Sequence, residues 1–303
     1  MTTDHIPPMT DGVCASTLYL PKLNASPPSL FAYLCNKFSH IGADQWRQRF
    51  LTQQILDSTG KALDIDTPYH YGTHIYYYRF VADEPHVPFE HRLIFENDNI
   101  MVVDKPHFLT VAPAGNYVRQ TLLSRLKQTS NNPHLAPIHR LDKDTAGLIL
   151  ISKNPATRHL YQALFRQQRV HKVYHAIAKI HPNLSLPTKV SLHLERGTPF
   201  YVMQVNPHKS ANSTTHLDIL CTKNGWAKYQ LTPTTGKLHQ LRAHLNHLGI
   251  PIKNDPYYPS ITHQAANEFD NPLQLLAKSL AFYEPIDKRD VAFVSPRELC
   301  LPT

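Results

Sequence analysis

The sequence predicts an α+β protein: a small helical and strand-bearing unit, then a larger domain on a mixed, mostly antiparallel sheet. Three observations lead there. Beyond residue 90, segments with strand-like alternation outnumber helical ones, which is the pattern of an α+β domain rather than of repeating βα units. A stretch with two prolines, DEPHVPFE at 83–90, interrupts the chain and reads as a linker. Charge divides at the same place: residues 1–80 hold six Lys or Arg and six Asp, so the net charge of +8 lies entirely beyond them.

In chain order, 1–24 reads as a loose tail and 25–82 as the small domain. Within it, SLFAYLCNKF and ADQWRQRFL carry apolar residues at helical spacing, Asp57 to Gly60 makes a turn, and HIYYYRF at 74–80 reads as a strand. Residues 91–303 form the large domain. NIMVVDKP (99–106) and GLILISK (147–153) are strands. Asn154-Pro155 supplies an N-cap and a proline in the first helical turn, opening a helix to about Arg169 with Leu160, Tyr161 and Leu164 on its inner side. VYHAIAKI (173–180), VSLHLE (190–195) and WAKYQLTP (226–233) alternate as strands do, and polar NPHKSANSTT (206–215) reads as a loop. A last helix, LHQLRAHLNHLG, aligns Leu238, Leu241, Leu245 and Leu248 and stops at Gly249.

Composition narrows the function. No window approaches the roughly 18 consecutive apolar residues of a membrane span. The start, MTTDHIPPMTDG, resembles neither a secretion signal nor a transit peptide, so a cytoplasmic location is expected. Cys14, Cys35, Cys221 and Cys300 form no CxxC pair and are expected to be reduced. Residues 145–194 hold seven Lys or Arg and no acid, a field that suits a polyanion, although a solvated basic face would look the same. Nothing resembles a coiled coil or a dimer stripe, and a monomer is expected.

The segment PIHRLDKDTAGLILISK (137–153) places Asp142 and Asp144 just ahead of an apolar strand. A phosphohydrolase DxDxT would follow its strand instead of preceding it, and no GxxxxGK loop is present. A glycosidase pair would find the two carboxylates roughly 6–7 Å apart on an extended chain. Asp144 with Thr145 also reads simply as a cap on the turn into the strand.

The whole block is more specific than its parts. HRLDKDTAGLILISK resembles the HRLDxxTSGLLLxAK signature of RluA-type pseudouridine synthases, with Ala146 where that family usually has Ser. FENDNIMVVDKPHFLTVAP, HKVYHAIAKI, TTGKLHQLRAHLNHLGIPIKND and LQLLAKSLAFYEP resemble further family blocks in the same order, over about 91–286. The helix, helix, turn, strand order of the small unit is similar to the RNA-binding domain named after ribosomal protein S-four. The resemblance implies a cofactor-free enzyme that isomerises uridine in ribosomal or transfer RNA to pseudouridine. It implies Asp142 as the catalytic carboxylate, acting at carbon 1′ of the ribose as nucleophile or base. Tyr174 would stack on the uracil, and Arg242 would pair with and orient Asp142. On spacing alone Tyr174 reads as core and Arg242 equally well as a solvated helix residue.

A uridine in a stem must be swung out to be reached. The resemblance assigns Arg140, flanked by His139, to the vacated space. Arg158, Arg169, Lys172 and Lys237 are candidate phosphate contacts, each also readable as surface charge. Asn254 and Pro259 stand where the family usually has Gly. The chain's 20 histidines prompt a metal test. His239 and His244 would lie about 140° apart on a helix and His244 with His247 lacks a third ligand, so no metal is expected. A rival of a different class is an RNA-binding assembly factor without chemistry. The loops expected to choose the target are 114–136 and 206–215.

Overall fold

The computed structural model describes residues 7–81, 83–262, 265 and 267–302. Its contacts divide the chain into two units, one running up to Glu84 and including Ser124–Pro133, the other made of Pro85–Leu123 and His134 onward.

The first unit contains β1 (Ser16–Tyr19), α1 (Leu30–Lys37), α2 (Ala43–Leu51), β2 (Ile55–Asp57) and β3 (His74–Tyr77), with the strands antiparallel in the order β1-β3-β2. The Ser29 hydroxyl accepts the Ala32 N–H at 3.1 Å and so starts α1. The Asp57 carboxylate accepts the Thr59 and Lys61 N–H groups at 2.8 and 3.0 Å, holding the expected turn. Leu30, Leu34, Trp46, Phe50 and Ile55 form the core. The expectation of a loose tail through residue 24 is corrected, because β1 pairs along its whole length with β3 and Leu20 is 2% exposed.

The second unit is organised by a ten-stranded sheet. Its strands are β4 (Arg92–Glu96), β5 (Ile100–Lys105), β6 (Ala136–Pro137), β7 (Ala146–Ser152), β8 (Val170–Lys179), β9 (Thr188–Leu192), β12 (Ser213–Lys223), β13 (Trp226–Pro233), β14 (Leu275–Tyr283) and β15 (Asp290–Val294). A separate hairpin pairs β10 (Leu194–Arg196) with β11 (Met203–Val205). The order β4-β5-β7-β14-β8-β13-β12-β9 is antiparallel except where β14 runs parallel to β7, so the expected mixed, mostly antiparallel α+β architecture is present.

That parallel contact requires a glycine. Gly147 has φ +106°, and a Cβ there would sit 2.3 Å from the Ala277 carbonyl oxygen, so no side chain fits between the strands.

Two helices flank the site. α4 (Pro155–Arg166) begins with the Asn154 side chain accepting the Ala156 N–H at 3.0 Å and buries Tyr161 and Leu164 against β5, β7, β8 and β14. It stops three residues before the expected Arg169, because Gln168 adopts φ +57°. α5 (Gln240–His247) packs Leu241 and Leu245 against β8, β13 and β14, and Gly249 at φ +75° ends it as expected.

Both expected loops need correction. Residues 114–136 contain α3 (Leu122–Ser130), in which Leu122 and Leu126, one turn apart, are buried. Residues 213–215 belong to β12, where Ser213 and Thr215 point inward and hydrogen-bond to His244 Nε2 and Gln240 Nε2. Inward polar side chains with partners look like loop composition in the sequence.

Candidate active site

Asp142 sits in the turn between β6 and β7, its carbonyl accepting the Thr145 N–H at 3.2 Å. Lys105, the last residue of β5, and His107, just past it, hold this turn. Lys105 is fully buried and its Nζ donates to the Pro106 and Lys143 carbonyls at 2.8 and 2.9 Å. Burial pushes the Lys105 ammonium down to about 7, against the opposing pull of Asp144 and Asp142. His107 Nδ1 donates to the Asp144 carbonyl at 2.7 Å. The strand's Asp-Lys-Pro-His end is therefore a backbone clamp on the Asp142 turn.

Arg242 of α5 reaches the same carboxylate. The guanidinium is 1% exposed and its principal partner is Asp255, bound through Nε at 2.8 Å and Nη2 at 2.6 Å. Among the described residues Nη1 has no hydrogen-bond partner, and it lies 3.7 Å from Asp142 Oδ2. The pairing expected between Arg242 and Asp142 is thus an approach, while the bidentate bond belongs to Asp255. Burial disfavours the Arg242 charge, but the bonds and charge of Asp255, with Asp142 and Asp144 behind it, raise its pKa above the ordinary value. Asp255 is fixed in turn by the Tyr257 and Tyr258 N–H groups at 2.9 and 3.2 Å.

The entry to α5 adds another neighbour. Gln240 accepts from the Thr235 hydroxyl and the Lys237 N–H and donates to Thr214 and Thr215, pinning the 233–239 loop. His239 then caps the helix at φ +48°, with Nε2 3.8 Å from Asp142 Oδ2. Burial lowers His239 to about 4, so at neutral pH it is an uncharged ring. On the other side Arg140 Nη2 stands 3.5 Å from Asp142 Oδ1.

These groups border a cavity of about 550 Å³, large enough for a nucleoside, in which Asp142 is the sole carboxylate among the described residues. Tyr174 of β8 lines it. Burial, then the Asp142 charge, pushes the Tyr174 phenol well above its usual range. The structure thus brings Asp142, Tyr174 and Arg242 to one cleft.

Of the six residues read as RNA contacts, four line this cavity: His139, Arg140, Lys172 and Lys237. His139 does so with its ring, stacked 4.5 Å from Phe165. Its Nδ1 donates to the Arg140 carbonyl and its Nε2 accepts from the Leu150 N–H, so neither nitrogen faces a ligand. Lys172 Nζ donates to the Thr235 carbonyl at 3.2 Å, and burial lowers its pKa. Arg158 lies elsewhere, bonded to the His134 carbonyl and to Ser152 Oγ. Arg169 lies outside the lining too, and Arg166 at the end of α4 takes the place expected for it.

Residues 99–247 match the family described as RNA pseudouridylate synthase. The dual-specificity RNA pseudouridine synthase RluA of Vibrio parahaemolyticus is 30% identical over 211 residues, 64% of this chain and 78% of that protein. The chain belongs to the RluA-type RNA pseudouridine synthases. The ribosomal large subunit pseudouridine synthase C of Buchnera aphidicola is 29% identical over 71% of this chain and 70% of its own length. An uncharacterized RNA pseudouridine synthase of Synechocystis is 29% identical over 75% and 78%. Human RNA pseudouridylate synthase domain containing 1 shares the fold, with a TM-score of 0.55 and 23% identity over 69% of this chain and 84% of that one. The family match begins at residue 99 and so leaves outside it the part of the first unit that runs up to Glu84.

Sequence reasoning about this synthase missed Lys105, His239 and Asp255 as supports of Asp142. Lys105 and Asp255 stand in the sequence only as letters in family blocks, and His239 reads there only as a metal candidate. A lysine between an aspartate and a proline after four apolar residues, IMVVDKP, was the one local hint that an ammonium is carried inside.

Proposed function

We propose that this synthase isomerises uridine in structured RNA, ribosomal or transfer, with Asp142 as the catalytic carboxylate. The observation that supports this best is Asp142 itself, the sole carboxylate lining the larger cavity among the described residues, set beside a tyrosine and approached by Arg140, Arg242 and His239 at 3.5 to 3.8 Å. The names of the relatives, two of which specify the ribosomal large subunit or dual specificity, support RNA as substrate.

The reaction breaks the bond from carbon 1′ to nitrogen 1, turns the uracil and joins carbon 5 to carbon 1′, with the proton lost at carbon 5 balanced by one gained at nitrogen 1. No electrons are gained or lost, so no redox cofactor is needed. Asp142 acts on the ribose at carbon 1′. Arg242, immobilised by Asp255, has one unspent donor on the Asp142 side, 3.7 Å away, and closure of about 0.8 Å on substrate binding turns it into a charge-assisted hydrogen bond. With its phenol pushed upward, Tyr174 stays protonated at neutral pH and serves as a stacking platform for the turning uracil. Arg140, exposed at the rim, supports the strand from which the uridine is extruded. No helix among the described residues is long and apolar enough to cross a membrane.

The test is tritium release from RNA labelled at carbon 5 of uridine. Wild type is expected to release tritium and Asp142→Asn to release none above background. Equal release from both variants would overturn the role of Asp142, and none from wild type on unmodified cellular RNA would leave an RNA-binding factor without chemistry.

A further inference from the structure

A second concavity, of about 370 Å³, borders Asp142 without Tyr174 in its lining and shares Arg140, Leu141, Asp142, His239 and Arg242 with the first. Three of its lining residues, His239, Tyr257 and Tyr201, form a row of aromatic rings that continues beyond the lining to Phe200. His239 stacks on Tyr257 with ring centres 5.4 Å apart and planes at 23°. Tyr257 lies 5.4 Å from Tyr201, and Tyr201 lies 5.7 Å from Phe200. Phe200, at the tip of the β10–β11 hairpin, is 75% exposed, the most exposed of the large apolar residues described.

The hairpin is anchored at its base. Leu194 and Met203 pack with Ala243 of α5 and with Tyr258, whose hydroxyl accepts the Met203 N–H at 2.8 Å. Its tip is braced by Arg196 Nη1, which donates to the Phe200 carbonyl at 2.7 Å. A phenylalanine held out on a rigid support gains nothing for the fold, since it stays in water. Arg196, Lys143 and Arg140 border the same concavity, while its other acid, Asp144, is buried. Cations beside a row of aromatic faces fit phosphates and unpaired bases better than any apolar partner.

We propose that this aromatic row is a binding site for the unpaired nucleotide next to the target uridine in the RNA strand. It rests on the reading of Asp142 as the catalytic group. The uridine enters the larger cavity toward Tyr174, the connecting phosphate lies at Arg140, and the neighbouring base stacks on Tyr201 and Phe200 with Arg196 at its phosphate. The hairpin then contributes to the choice of target by demanding an unstacked neighbour, a role that neither expected specificity loop contains.

Photo-crosslinking tests it. Asp142→Asn is irradiated with RNA stem-loops carrying 4-thiouridine in the loop, then digested with trypsin and nuclease and mapped by mass spectrometry. Adducts are expected both in peptides of the larger cavity and in the 197–209 peptide. Adducts in the cavity peptides with none in 197–209 would overturn the proposal, whereas no adducts anywhere would count against the RNA reading beneath it. Independently, Phe200→Ser in the otherwise intact enzyme should raise the KM for tritium release roughly tenfold, the worth of one stacked base. A KM within about twofold of wild type, or a fall in kcat alone, would refute it.

Discussion

Arg242 gives two arms of its guanidinium to Asp255, at 2.8 and 2.6 Å, and turns the third toward Asp142 at 3.7 Å. The carboxylate that orients the arginine is thus separate from the one that does chemistry. Asp255→Asn should lower kcat on the order of a hundredfold although Asp255 does not line the cavity, because a displacement of about 1 Å at a reacting group has that effect. Breaking the buried pair should also cost about 3–5 kcal/mol in urea unfolding. Arg242→Lys should lose activity as well, since an ammonium cannot serve both carboxylates as a planar fork does. A wild-type rate in Asp255→Asn would remove Asp255 from the account.

Lys105 makes a pH prediction. Its folded pKa falls to about 7 from an ordinary 10.5, so between those values the unfolded chain binds the extra proton and stability rises with pH. Below about pH 7 both states are protonated and the contribution is flat. Lys105→Met removes this titration together with two donors to buried carbonyls. The stability gap between wild type and Lys105→Met should therefore widen from about pH 7 to pH 9, by up to about 1.4 kcal/mol per pH unit. Parallel stability curves in chemical denaturation would contradict it.

The buried histidines extend the same trend into acid. Burial lowers His239 and His244, 8% and 0% exposed, to about 4 from 6.5, and His107 and His139 likewise. Between those values the unfolded chain takes up protons that the folded chain refuses, so stability falls as pH drops through that window. Denaturation midpoints should decrease steadily from about pH 6.5 to pH 4, and a flat profile there would show these rings to be solvated.

Gly147→Ala should destabilise the protein by on the order of 3 kcal/mol or prevent folding, because the new Cβ would meet the Ala277 carbonyl at 2.3 Å in a left-handed backbone. A thermal melt within a few degrees of wild type would show that β7 and β14 can separate there without loss.

The parts of the fold legible in the sequence are those with local causes. α4 announces itself through Asn154-Pro155 and α5 through its leucine stripe and Gly249, and both are present, α4 ending at Arg166 rather than Arg169. β12 and α3 did not announce themselves. Ser213 and Thr215 earn their buried places through Gln240 and His244, some 25 to 31 residues away, and no window reveals such partners. The site divides in the same way. Asp142, Tyr174 and Arg242 stand in blocks whose family resemblance identifies them, and they meet at one cavity. The Asp255 fork, the Lys105 clamp and the aromatic row from His239 to Phe200 arise from packing between segments far apart in sequence. Arg158 and Arg169 were misplaced because charge alone does not say which way a helix face turns, nor that Gln168 ends the helix early.

The most direct measurement of the central claim is a map of pseudouridines across cellular RNA in a strain lacking this gene, complemented with wild type or with Asp142→Asn. One or more pseudouridines should vanish on deletion, return with the wild-type gene and stay absent with Asp142→Asn. Their return with Asp142→Asn would contradict the assignment of catalysis to that carboxylate.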